Sequence, residues 1–510
     1  RQEVMDYYLG NKFGNEQENR SQAVLTEVSD TIEFIMPSLM KLFSSSREFC
    51  RFVGRKKEDV KSAEQATQLV NFVINSQNNG FTVLHNMMKD ALLFKVGACK
   101  FYWHETENTI TEEYKDLTDD ELLMLMEDKT IEIVSQEIVE TGEISENGEE
   151  IPLQASFNVE VKRKVNGGQV KIDNVPPEEL IFSRRATSLE DCSFIAHRTN
   201  MRAGDLIEQG YDAETVFKYA GGENVDDEEE RQQRFEEIES GSRLNQHDKT
   251  MQEVLVSECY IKADFDGDNI PELRRVVVLG EAGEVVENEP FDHIPFALLS
   301  PILMPHRMVG RSVAETVMDI QLIKSSILRS QLDNLYLTNN SRIAVQEGAV
   351  NLDDLLSSRP GGIVRMRQPG AVQMLQVPQL GTQGFNMLEY MDQVRDQRTG
   401  FSKQSIGLDP KALQSTSTNA VNATIQGAQL KIEMIARVFA ETGLKDLAFG
   451  VLTLLQKHQD RAVTVRLNNE YVDIDPRAFD NKFDMELSLI HISEPTRPER
   501  ISDAVFWLKK

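Results

Sequence analysis

Apolar residues recur at three- and four-residue spacing from Val24 through Val28, Ile32, Ile35 and Leu39 to Leu42, the period that lines one face of a helix. Pro37 falls inside this run and is expected to bend or split the helix. Two further helices are expected over Glu64–Ser76 and Thr82–Phe94, separated by a turn at Asn78-Asn79-Gly80. The pattern then changes to that of strands. These are expected at Ala98–Trp103, Ile131–Val139, Ser156–Val165, Gln169–Val175, Ser193–Thr199 and Val254–Ala263, with Asn166-Gly167-Gly168 as a hairpin turn. Residues 1–300 thus read as a mixed α+β unit.

The second half differs. From Ser312 to Asn340 there is no Gly or Pro, and Val313, Val317, Ile320, Ile327, Leu328, Leu332 and Leu335 line one broad face. That predicts a helix of about 29 residues, or roughly 43 Å at 1.5 Å per residue. A compact strand-and-turn segment is expected at Ile343–Val377, then a helix at Phe385–Arg398 with Gly400 as its C-cap. Phe401–Gln414 reads as a loop. Ser415–Gln459 reads as a helix of up to about 45 residues, with Val421, Ile425, Ala428, Ile432, Ile435, Val438, Phe439 and Leu447 as its buried stripe. A compact enzyme has no need of helices this long standing free of a sheet. A ring in which neighbouring subunits pack helices side by side does. The stripe Val317, Ile320 and Ile327 is therefore expected to pack in ring assembly.

Composition narrows the function. The 510 residues are 40% apolar and 27% charged, the balance of a folded chain long enough for roughly three domains. No run approaches the ~18 apolar residues of a membrane helix. The net charge of −28 makes the chain a poor match for the outside of a DNA duplex, because phosphate binding needs a basic face. The acid is uneven. Residues 105–150 hold seventeen Asp/Glu and two Lys, residues 223–239 hold nine acids and two Arg, and residues 301–460 are nearly neutral. Both acidic runs read as solvated surface insertions. Cys50, Cys99, Cys192 and Cys259 are far apart and form no CxxC, which argues against a disulfide framework or zinc knuckle and for a reducing compartment.

Catalytic signatures are missing from the sequence. It holds no GxxxxGK[ST], HExxH or GxSxG, and none of the eight histidines pairs with another at metal-ligand spacing. His104 and His197 read as structural or surface residues. No catalytic residue and no enzyme activity are expected. One acidic loop has metal-binding character: Asp264, Asp266, Asp268 and Glu272 take positions 1, 3, 5 and 9, with the Ile270 carbonyl as an extra oxygen. Such oxygen-rich loops wrap Ca²⁺. Its flanks, Val254–Ala263 and Leu273–Leu279, read as strands, so a structural calcium would stiffen a hairpin; an ordinary acidic turn is the alternative. Arg359, Arg365 and Arg367 cluster with no acid between Ser357 and Gly370, and Lys403 and Lys411 flank the 401–414 loop.

Several stretches resemble one family. Gly310-Arg-Ser312 opening a long helix is similar to portal proteins of tailed bacteriophages. Val175-Pro-Pro-Glu-Glu-Leu-Ile-Phe182, Leu189-Glu-Asp-Cys-Ser-Phe-Ile-Ala-His-Arg198, Arg398-Thr-Gly400, Ser405-Ile-Gly-Leu-Asp409 and Ile435-Ala-Arg-Val-Phe-Ala-Glu-Thr-Gly443 resemble the short-tailed-phage portal type in order and spacing, over about residues 20–460. The resemblance implies a ring, usually of twelve subunits, at one capsid vertex, with a channel for DNA packaging and ejection. The implied partners are further copies of the chain, a packaging terminase, tail adaptors, capsid and scaffold proteins, and double-stranded DNA in the channel, with no membrane. The implied location is the virion, with assembly in the host cytoplasm. The mapping it implies is a wing over 1–310, a stem helix over 311–341, a clip over 342–378, a second stem helix over 379–400, a channel loop over 401–414, and a long helix leading to a crown over 415–486. The three arginines would then meet a motor, an adaptor or exiting DNA, or form intersubunit salt bridges, and the two lysines would line the channel or simply be solvated.

Two other readings compete: a metal-dependent hydrolase built on the Asp264–Glu272 loop, and another head-tail connector component. The chain starts at Arg1 without a charged-then-apolar leader. At the other end, Leu487–Arg497 (LSLIHISEPTR) resembles the translation of a transposase sequencing adapter. Residues 487–510 are accordingly set aside from fold reasoning.

Overall fold

The computed structural model describes residues 1–44, 49–56, 59–127, 131–141, 154–221, 248–281, 283–357, 359, 361–375, 383–400, 430–459, 463–467, 470–474, 476 and 483–487. It is α+β. The helical N-terminal third comprises α1 (Gln2–Leu9), α2 (Glu27–Ser44), the short strand β1 (Cys50–Gly54), α3 (Val60–Phe72) and α4 (Gly80–Phe94). Val28, Ile32, Ile35 and Leu39 are buried on one face of α2, as their spacing requires. Pro37 sits inside this helix without dividing it. Asn79, in the left-handed region at φ 49°, makes the turn into α4.

Strands follow as β2 (Gly97–Leu117), a helix α5 (Asp119–Glu127), β3 (Ile131–Thr141), β4 (Gln154–Val175), β5 (Leu180–Phe182) and β6 (Phe194–Arg202). After α6 (Ala203–Glu208) and α7 (Ala213–Tyr219) come β7 (Glu253–Ala263), β8 (Glu272–Leu279), β9 (Glu284–Pro290) and β10 (Phe296–Leu299). They form two antiparallel sheets, ordered β10-β2-β4-β3 and β5-β6-β7-β8-β9. The expected Asn166-Gly167-Gly168 hairpin is not formed. β4 runs straight through it because β2 continues far beyond Trp103 and supplies a partner throughout, with Thr106 opposite Gly167 and Glu105 opposite Gly168. The glycine is needed for space rather than for a turn: a Cβ at Gly168 would lie 2.3 Å from the Trp103 indole.

The expected 29-residue helix begins later than Ser312. Ser312 is fully buried, and its Oγ accepts from Glu315 N at 3.1 Å, capping a 3₁₀ turn at Ala314–Thr316. The α-helix proper, α8, spans Met318–Asn339. Then come β11 (Ile343–Val345), α9 (Leu352–Leu356), β12 (Val372–Met374), α10 (Gln383–Thr399) and, after a helical stretch over residues 430–439, α11 (Lys445–His458). A π-helical segment at Ala440–Leu444 with a non-helical Thr442 joins the last two, so the described part of the expected long helix is interrupted there. Residues 401–429, with Lys403, Lys411, Val421, Ile425 and Ala428, lie outside the described residues, as does the acidic run 223–239. The ribbon β13 (Val463–Leu467) with β14 (Glu470–Ile474) and strand β15 (Phe483–Leu487), paired with β1, complete the described chain. Of the segment set aside, only Leu487 is described.

The main core gathers α2, α3, α4, α11 and the inner face of β2 around Met87, Leu92, Phe439 and Leu447. A separate small cluster of Leu122, Val159 and Val161 supports the outer reach of β2, β3 and β4. Among the described residues no helix is long and apolar enough to cross a membrane.

Candidate functional site

The site of interest is the pair of helices α8 and α10 with the small module between them. The helices are antiparallel: Arg398 near the end of α10 pairs with Asp319 near the start of α8 at 2.7 Å, and Asp392 pairs with Lys324 at 2.6 Å. Further along, Gly384 abuts Gln331. Gly400, at φ 76°, caps α10 through its N–H to Asp396 O at 2.8 Å, as expected. Lys431 from the 430–439 stretch donates to Gln397 O and Arg398 O at 2.6 and 3.2 Å, closing the same helix end.

The face of α8 turned to the body differs from the sequence expectation. Val317 and Ile320 are fully buried within the subunit itself, so they are not waiting for a neighbour. Beyond them the buried positions are Gln321, Lys324, Ser325 and Arg329, all polar and at helical spacing. Ile327 is half-buried, while Leu335 is 54% exposed. The polar stripe is fully engaged. Gln321 Nε2 donates to Tyr7 O at 2.8 Å, and its Oε1 accepts from Val28 N at 2.9 Å. Lys324 meets Glu27, whose second oxygen takes Arg395 of α10 at 2.5 Å. Arg329 donates to Ala23 O, Asn15 Oδ1 and Glu16 Oε1 at 2.8, 2.7 and 2.5 Å. Burial alone would raise the Glu16 pKa, but backbone N–H bonds and Arg329 bring it below its ordinary value. Sequence reasoning missed this stripe because polar residues at helical spacing ordinarily mark a solvated face. The partners Glu27 and Glu16 lie about three hundred positions away.

The module over residues 342–375 has little core of its own. Among its described residues the buried apolar ones are Ala349 and Ala371, whereas Leu352, Leu356, Ile363 and Met374 are 60%, 80%, 84% and 67% exposed. Apolar exposure continues along the helices at Tyr336, Phe385 and Tyr390. Arg359, Arg365 and Arg367 are all exposed. Arg365 forms a bidentate pair with Asp354 at 2.6 and 2.9 Å, which holds the Asp354 carboxyl below its ordinary range. The acid missing between Ser357 and Gly370 thus arrives from α9 in the same chain. Arg359 and Arg367 form no ion pair among the described residues.

The acidic loop closes the β7–β8 hairpin, as expected, with Gly267 and Asn269 at φ 84° and 67°. Carboxylate oxygens of Asp264, Asp266 and Asp268 lie within 4.8 Å of one another, and all three residues are exposed. Asp264 accepts from Gly267 N and Asn269 N at 2.7 and 2.9 Å, and Asp268 accepts from Ile270 N at 2.7 Å. Glu272 turns instead to Arg274 at 3.4 Å. The loop therefore brings together three of the four expected carboxylates. Among the described residues no acid from another element joins them, whereas two-metal hydrolysis draws acids from several elements. Nothing here favours the hydrolase reading.

Elsewhere, a half-buried ionic node ties the two large sheets together. Glu258 of β7 meets Lys100 of β2 and, at 2.9 Å, Arg275 of β8. Burial would raise the Glu258 pKa, but the two cations pull it down to about 2.

A family model described as Phage SU10 portal protein matches residues 1–507, a span that includes most of the C-terminal segment set aside above. A search of curated proteins found no match.

Proposed function

The chain belongs to the phage SU10 portal protein family, a structural component of the virion; from that premise we propose that about twelve copies close into a ring with α8 and α10 as its stem and residues 342–378 as its clip. The observation that carries the ring is the apolar surface left uncovered on that region, from Tyr336 to Tyr390, beside a wing whose own core is closed. Exposed apolar surface of this extent marks an interface. Neighbouring copies would cover it, and the ring would surround the channel for double-stranded DNA during packaging and ejection. Lys403 and Lys411 belong to the channel loop in this reading, with few cations along the path, since each phosphate neutralised adds affinity that would slow the polymer. Arg359 and Arg367 are free to meet a packaging terminase, a tail adaptor or DNA at the exit. Capsid and scaffold proteins surround the wing, and assembly takes place in the host cytoplasm. The protein does no ATP or nucleic-acid hydrolysis itself. Negative-stain electron microscopy of the purified protein should show rings with a central hole; monomers or open filaments would contradict the reading.

We also propose that Asp264, Asp266 and Asp268 take a structural calcium ion that stiffens the β7–β8 hairpin. Three carboxylates this close repel one another, and a divalent cation removes that cost. Titration calorimetry of metal-stripped protein with calcium should give heat that Asp266→Ala/Asp268→Ala loses. Identical curves for the two proteins would leave an ordinary Asp-rich turn.

A further inference from the structure

The polar stripe of α8 has a partner that runs alongside it: the N-terminal segment over residues 11–27. This segment carries no helix or strand before Glu27, yet it is fastened to α8 along its length. Ser21 N donates to Asp333 Oδ1 at 2.7 Å and Leu25 N to Ser325 Oγ at 3.0 Å. Arg329 spreads its guanidinium over Ala23, Asn15 and Glu16, and lies 5.6 Å from the Phe13 ring centre. The last residue of the segment is Glu27, in the first turn of α2. Its two oxygens are divided between Lys324 of α8 and Arg395 of α10, both buried. One carboxylate of the wing thus holds both stem helices.

We propose that residues 11–27 form a releasable strap that sets the seat of the two stem helices on the wing, with Glu27 as its positioning residue. Three features make the joint releasable rather than fixed. The fully buried α8 residues beyond Ile320 are all polar, so opening exchanges mainly hydrogen bonds for water, with the partly buried Leu322 and Phe13 as the apolar side chains uncovered, whereas separating wing elements would expose many Ile, Leu and Phe. Lys324 and Arg395 each keep a second acid, Asp392 and Asp396, when Glu27 is withdrawn, so release strands no buried cation. The chain connections to the wing, the 3₁₀ turn Ala314–Thr316 and Gly400, lie together at one end of the helix pair, where Arg398 also reaches Thr316 O at 3.2 Å. That end is the pivot. The strap holds the pair from there out to Asp333, about 24 Å along α8 at 1.5 Å per residue.

The test is hydrogen–deuterium exchange of the unassembled full chain carrying Glu27→Gln, which keeps the shape of the side chain and removes its charge. A second variant, Arg329→Lys, keeps the charge and removes the planar fork. In both, amides in Met318–Asn339 and Gln383–Thr399 should exchange about 10- to 100-fold faster, the range expected for losing one charge-assisted hydrogen bond. Amides in Gly80–Phe94 and Glu253–Ala263 should be unchanged, and the double variant should add little to either single one. Stem and wing accelerating together would make the strap ordinary scaffolding and overturn the proposal. So would stem exchange that neither variant alters.

Discussion

The body of the subunit, read above as the wing, and helices α8 and α10 with residues 342–375, read as stem and clip, bury their side chains in opposite ways. In the body, Val28, Ile32, Met87 and Leu92, with Phe439 of the later helical stretch over residues 430–439, are essentially inaccessible, packed from α2, α4 and that stretch onto β2. In the clip, two alanines are buried while Leu356 and Ile363 stand 80% and 84% in solvent. Large side chains thus contribute burial energy within one subunit in most of the first region, with exceptions such as Phe81 and Met124, and largely leave it uncollected in the second. The joint between them is of a third kind, ionic and hydrogen-bonded through Glu27, Lys324, Arg329 and Arg395. On the proposed reading, fold stability and assembly fall to separate parts of one chain.

That division can be broken by mutation. Phe439→Ala should cost about 3–5 kcal/mol in denaturant unfolding of the unassembled chain, the usual range for emptying a closed aromatic site. Leu356→Ser should change the same measurement by less than about 0.5 kcal/mol, as surface changes do, yet weaken assembly. Comparable losses of stability from the two would erase the contrast.

Acid sharpens it. The folded pKa of Glu258 is depressed from 4.5 to about 2, so its pairing stabilises the wing fully above about pH 4.5 and is lost as pH falls towards 2. The loss amounts to about 3 kcal/mol at 1.36 kcal/mol per unit. Urea midpoints between pH 5 and 2.5 should therefore fall, and Glu258→Gln should flatten that slope. An equally steep slope in the variant would place the acid sensitivity elsewhere. The smallest effect is expected at the clip surface. Arg365→Ala should leave the melting temperature unchanged, because the Arg365–Asp354 pair is screened by water. A measurable drop in calorimetry would show that the clip depends on it.

The α+β class, most helices and the Asp-rich hairpin are legible in the sequence because local spacing and turn chemistry decide them. Helix α4 was expected over Thr82–Phe94 and spans Gly80–Phe94. The turn at Gly267 and Asn269 follows from two residues that tolerate positive φ. Where the sequence misleads, distant partners decide. Asn166-Gly167-Gly168 has the chemistry of a turn, but β2 pairs through it and Trp103 needs the space over Gly168. Lys324 and Arg329 have the pattern of a wet face, but Glu27 and the N-terminal segment cover them. Arg365 looks unpaired along the chain until α9 brings Asp354 to it. Ile320 looks available to a neighbour until the fold buries it within its own subunit.

In the proposed ring the wing core is complete in one subunit, while stem and clip are completed by other copies. Electron cryo-microscopy of the assembled protein at side-chain resolution tests it most directly. A closed ring is expected in which Tyr336, Leu356, Ile363, Phe385 and Tyr390 are covered by neighbouring subunits and the wing core is packed as in the single chain. A ring with those side chains facing solvent, or no ring at all, would contradict it.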